Sequence, residues 1–208
     1  MNFRKEQSQL KRWYKDINWG VHRKLAEEFF QKVILQAKQA GFFETLYVSV
    51  NDHGRQIQLA AGYHPAGPLE QTYDSLGNRL GQRFPTEGGA ALVISQGADG
   101  SVGIFLYPFK SEKMARKIPY ITWALFTDPK KITKQVLQNV IRDYFTYMHV
   151  TSVHFSESFR ERLKIGYLEL RGLKYSNGGG LMPFIVRHWL KEFIVLCGAV
   201  AGVIALFK

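Results

Sequence analysis

The stretch Leu46-Tyr47-Val48-Ser49-Val50-Asn51-Asp52-His53-Gly54-Arg55-Gln56-Ile57-Gln58-Leu59-Ala60-Ala61-Gly62-Tyr63 decides the fold class. Leu46, Val48 and Val50 alternate with Tyr47 and Ser49, and Ile57, Leu59, Ala61 and Tyr63 alternate with Gln56, Gln58 and Ala60. Successive side chains of a strand point to opposite faces, so each half offers one apolar face. Asn51-Asp52-His53-Gly54 between them supplies turn chemistry, and the whole predicts a β-hairpin.

Working outward, a second hairpin is predicted from Ala90 to Ser95 and from Val102 to Phe109, around a turn at Gly97-Ala98-Asp99-Gly100. Its strands are apolar on nearly every residue, which predicts cover on both faces. Ile121 to Phe126 reads as a fifth strand. Between the hairpins, Pro65 to Glu87 is rich in glycine and proline and keeps no period, so a long loop is expected there.

Helices flank the strands. Residues 4–41 read as helix in two pieces, parted at Asn18-Trp19-Gly20: a stripe of Leu10, Trp13, Tyr14, Ile17 and Val21, then one of Ala26, Phe29, Phe30, Val33, Ile34 and Ala37 ending at Gly41. Downstream, Asp128-Pro129 reads as a cap and first helical residue, followed by Ile132, Val136, Leu137, Val140, Ile141, Tyr144, Phe145 and Met148 at helical spacing. Ser158 and Glu161 have capping-box spacing and open a shorter helix expected to bury Phe159, Leu163, Tyr167 and Leu170. Its exposed side is expected to carry Arg160, Arg162, Lys164 and Arg171.

These elements predict an α+β domain, an antiparallel sheet of about five strands packed by helices, over residues 25–175. A basic amphipathic helix at residues 1–24 precedes it. A flexible linker at 176–182, around Asn177-Gly178-Gly179-Gly180, follows it.

Residues 183–208 predict a C-terminal membrane anchor helix. Phe193, Ile194, Val195, Leu196, Val200, Val203, Ile204, Leu206 and Phe207 belong to an apolar run broken by no charge. The run's 15 residues span only about 22 Å, short of a hydrocarbon layer of about 30 Å. Extending the helix back to Met182-Pro183 lets Arg187, Trp189 and Lys191 sit at headgroup level. A helix apolar on all sides belongs in lipid or deep in a core, and a domain of this size has little room to enclose one. Gly198 and Gly202, four apart, are small residues at the spacing that lets membrane helices approach closely, so a homo-oligomer is expected.

The formal charge of +11 is spread unevenly. Residues 1–24 hold seven basic and two acidic side chains, residues 25–100 five and eight, residues 101–180 thirteen and six, and the last 28 residues three and one. Basic flanks beside a membrane segment favour a cytoplasmic domain drawn to anionic lipid, here through Arg160, Arg162, Lys164 and Arg171. The same totals suit a nucleic-acid binder. The one cysteine, Cys197, lies in the apolar run, which excludes an intrachain disulfide and fits a reducing compartment.

Motifs for chemistry are scarce. His22, His53, His64, His149, His154 and His188 include no HExxH pair, and no cysteines accompany them, so neither a metal site nor a cofactor is expected. No phosphate loop, dinucleotide fingerprint or nucleophile elbow occurs. Of the acids, Asp74 and Glu87 stand out only because they fall in the expected long loop, and no catalytic residue is assigned. Tyr107-Pro108-Phe109-Lys110-Ser111-Glu112-Lys113, with Arg116 and Lys117 beyond, mixes aromatic and charged residues as single-strand binders do, and equally as a strand end does. The expected function is a tail-anchored protein whose basic cytosolic domain binds a partner or ligand at the membrane, in its concrete form a self-associating, membrane-acting effector. The alternatives are a membrane-tethered nucleic-acid-binding domain and a membrane-anchored enzyme.

Overall fold

The computed structural model describes residues 3–114, 118–156 and 158–176. The chain is α+β. Its elements are α1 (Phe3–Gln39), β1 (Leu46–Asn51), β2 (Gln56–Ala61), β3 (Tyr63–Pro65), β4 (Glu70–Tyr73), β5 (Arg79–Arg83), β6 (Thr86–Gly88), β7 (Ala91–Gln96), β8 (Val102–Tyr107), β9 (Lys110–Ser111), β10 (Ile121–Phe126), α2 (Lys134–Thr151) and α3 (Phe159–Ser176). A five-stranded antiparallel sheet runs β1-β2-β7-β8-β10. Both expected hairpins and the fifth strand are in it, with Val48 opposite Leu59 and Ile94 opposite Ile104.

One face of this sheet carries Ile57, Leu59, Leu92, Ile94, Ile104 and Leu106, all fully buried beneath α1 and α2. The other face holds only a small cluster, Ala60, Ala91 and Val93 shielded by Phe105 and Tyr107. The second hairpin is thus apolar on nearly every strand residue because large side chains on the outer face cover small ones, and among the described residues no helix residue joins that cluster. The β10 edge is closed by α3, where Arg171 Nη2 donates to the Trp123 carbonyl at 2.9 Å and satisfies an edge acceptor.

Four expectations need correction. First, α1 is continuous across Asn18-Trp19-Gly20, and it spans residues 24 and 25 without a break. A mid-helix glycine costs about 1 kcal/mol, but tertiary contacts hold both sides of it. Trp19 is buried, Asp16 pairs with Arg55 at 2.6 Å, and His22 Nδ1 lies 2.9 Å from the Ile132 carbonyl. The second stripe packs in the core as expected, whereas Leu10, Trp13, Tyr14, Ile17 and Val21 face solvent.

Second, the stretch from Pro65 to Glu87 is not a loop. It contains the β4–β5 hairpin and is bounded by β3 and β6, two strands of a small sheet β3-β6-β9. Both faces of β4–β5 are largely exposed, so no hydrophobic period marks them; the turn marks them instead, Asp74 accepting from Leu76 N and Asn78 N at 2.8 Å each. Third, Asp128-Pro129 opens a single 3₁₀ turn, Pro129–Lys131, and α2 begins after Thr133, whose hydroxyl accepts from Val136 N at 3.3 Å. The apolar stripe of α2 is buried as expected. Fourth, α3 turns the other way round: Phe159, Leu163 and Tyr167 are exposed, and Ile165, Gly166, Leu168 and Gly172 make the buried side. A Cβ on Gly172 would lie 3.1 Å from the Thr122 carbonyl oxygen, so glycine is what lets α3 approach β10 so closely.

Candidate functional site

The most concentrated chemistry lies where α1, the small sheet and the end of α2 meet. α1 stops in a Schellman turn: Gly41, at φ +71°, donates to the Lys38 carbonyl and Phe42 to the Ala37 carbonyl. The reversal throws Phe42, Phe43 and Glu44 back toward the sheet. From the other side, β3 brings His64 and β6 brings Glu87, paired directly across the strands. Gly88 follows because the Tyr63 ring lies across it, and a Cβ there would meet that ring at 2.5 Å. Ser152, Val153 and His154 enter from the chain leaving α2.

His64 is the hub. Its Nε2 lies 3.2 Å from Glu87 Oε2, and its Nδ1 lies 2.7 Å from Glu44 Oε1. The second approach is off the line of a hydrogen bond, so it is a close charge contact, and neither atom has another partner. Glu87 is fully buried and accepts from Ser152 Oγ at 2.9 Å and from Val153 N at 3.0 Å. Burial raises the Glu44 carboxyl above its ordinary pKa; the charge of the nearby His64 opposes that shift, and Glu87 adds to it. Phe43, Phe109 and His154 pack around the His64 ring with centroids 5.0–6.0 Å away. Glu44 and Phe109 also line a cavity of about 390 Å³ with Phe43, Phe145, Met148 and Phe155.

The sequence reading missed this cluster apart from Glu87, and expected no metal site among the histidines. One ring nitrogen of His64, one of His154 and a carboxylate oxygen of Glu87 lie within 4.8 Å of one another. His149 is not part of that convergence: it stacks on Phe155 at 4.5 Å and faces Glu161 at 3.2 Å. The local signal that was available is an isolated acid, Glu87, shortly before a largely apolar strand.

Asp74 does not join Glu87 at any shared partner. It is an exposed turn residue, its pKa held low first by the Asn78 side chain. The basic set expected on α3 is divided: Arg160 and Arg162 are exposed, whereas Lys164 donates to Asp143 at 2.8 Å and Arg171 stacks over Trp123 at 4.9 Å. Asp143 also accepts from Trp123 Nε1 at 2.8 Å, so Lys164 closes a buried network. Phe109 is in the core against His64, which removes it from any stacking surface for nucleic acid.

Among the described residues no helix is long and apolar enough to cross a membrane. The linker at 177–182, the anchor residues Phe193 to Phe207, the interface residues Arg187, Trp189 and Lys191, the pair Gly198 and Gly202, and Arg116 and Lys117 lie outside the described residues. No model of a known family, no curated protein and no solved structure matches the chain.

Proposed function

We propose that the chain is a tail-anchored membrane protein whose α+β domain is a binding module held against the anionic, cytoplasmic face of a bilayer. The observation that carries this reading is the row Phe159, Leu163 and Tyr167, turned outward on α3 beside the exposed Arg160 and Arg162. An apolar row bordered by cations suits a helix lying in the headgroup region. That helix is also the last described element before the apolar run at residues 193–207, which supplies the spanning segment in this reading. The Gly198 and Gly202 spacing supports contact between tails, and the shortness of the run supports local thinning of the bilayer when tails gather.

The test compares the intact chain with one ending at Gly180, each with and without Phe159→Ser, Leu163→Ser and Tyr167→Ser together. The intact chain stays with membranes through high-salt and alkaline washes, and the shortened chain is released by them. The triple substitution lowers binding of the shortened chain to anionic vesicles by about tenfold or more, since each large apolar side chain is worth about 1.5–3 kcal/mol when fully buried. Extraction of the intact chain by salt alone defeats the anchor, and unchanged vesicle binding defeats the α3 contact.

A further inference from the structure

We propose that His64, Glu87 and His154 form a binding site for a divalent transition-metal ion of zinc type, with Glu44 and the Pro65 carbonyl orienting the two histidines. The first observation is the convergence of three ligand atoms, brought from β3, β6 and the segment after α2 to within 4.8 Å of one another. Two histidines and one carboxylate are a donor set that holds zinc with a coordination position left open.

The second observation concerns the burial of two carboxylates around one imidazole. His64 Nε2 meets Glu87 Oε2 at 3.2 Å in hydrogen-bond geometry, and Nδ1 lies 2.7 Å from Glu44 Oε1 off the line of a hydrogen bond, so the ring has a carboxylate at each nitrogen. Glu44 and Glu87 are both buried, and among the described residues neither is paired with a lysine or arginine. Carboxylates held away from water are costly unless a cation faces them, and a divalent ion at His64, Glu87 and His154 would face both.

The third observation is the state of the outer nitrogens. Histidines that ligate metals usually donate their other ring N–H to a carboxylate or a backbone carbonyl. His64 directs Nδ1 at the Glu44 carboxylate, whose Oε1 has no hydrogen-bond partner of its own. His154 Nε2 lies 2.5 Å from the Pro65 carbonyl oxygen, which assigns the proton to Nε2 and leaves Nδ1 as the ligand atom. The proposal does not depend on where the chain resides in the cell.

The experiment uses the full chain in mild detergent, stripped with EDTA and titrated with Zn²⁺ by calorimetry and with Co²⁺ by visible absorption. One ion per chain is expected, with cobalt bands of low coordination number. His154→Ala, at an exposed position in the segment after α2, abolishes high-affinity binding while the circular dichroism is unchanged. Glu44→Gln weakens binding about 10- to 100-fold, as loss of an orienting partner does. His53→Ala, in the exposed β1–β2 turn, changes nothing. Absence of Zn²⁺ and Co²⁺ binding by the folded parent means that protons alone hold the cluster and overturns the proposal; so does binding that survives His154→Ala unweakened.

Discussion

α2 and α3 are both 18 residues long, and both carry apolar side chains at helical spacing. In α2 those side chains point into the core; in α3 the most conspicuous ones, Phe159, Leu163 and Tyr167, point out of it. The difference lies in what each helix meets. α2 lies over a sheet face with side chains to fill, so its largest residues go inward. α3 closes on the backbone of an edge strand, where space admits Gly172 and the medium-sized Ile165 and Leu168, and its largest residues are left over. Apolarity alone therefore locates a helix's buried side only when the partner surface has room for it.

The sharpest way to break this comparison is to truncate one leucine from each helix. Leu137→Ala in α2, fully buried, is expected to cost about 2–5 kcal/mol in chemical denaturation. Leu163→Ala in α3 is expected to fall within about 0.5 kcal/mol of the parent. Equal losses would mean that the outward row of α3 is covered by something in the intact chain. Next in size is Gly172→Leu, which drives a side chain into the Thr122 backbone and is expected to cost about 1–3 kcal/mol despite better helix propensity. A neutral result would mean that α3 can lift from β10 without loss.

Smaller again is the separation of α3's cations. Lys164→Glu sets a carboxylate against the buried Asp143; because Lys164 is about one-third exposed, solvent screening holds the expected loss to about 1–2 kcal/mol. Arg160→Glu with Arg162→Glu is expected to leave the melting temperature within a degree or two of the parent, yet to weaken attachment to anionic vesicles by about 1 kcal/mol per residue. If the double reversal unfolds the domain, those arginines belong to its structure as Lys164 does.

The same contrast explains how much could be read in advance. Where one face of an element is buried against side chains, as in β1, β2, α2 and the second half of α1, the periodicity is written in the sequence. Where support comes from hydrogen bonds at turns, as in β4–β5, or from a close backbone approach, as at Gly172, there is no apolar period to read. The His64, Glu87 and His154 cluster was illegible for a third reason: its members share no local spacing, and only the pairing of β3 with β6 and the end of α2 bring them together. Glu87 was noticed for its place in a supposed loop, which is not the reason it matters.

The unbroken course of α1 has a mechanical consequence. At about 1.5 Å per residue, its 37 residues make a rod of about 55 Å, and residues 6–14 are exposed on every side. Had the chain hinged at Gly20, a pull on those first turns would have been absorbed there. Without a hinge, such a pull passes straight into the stretch from Asp16 to Val33, where Arg55 and the core side chains hold the helix in place.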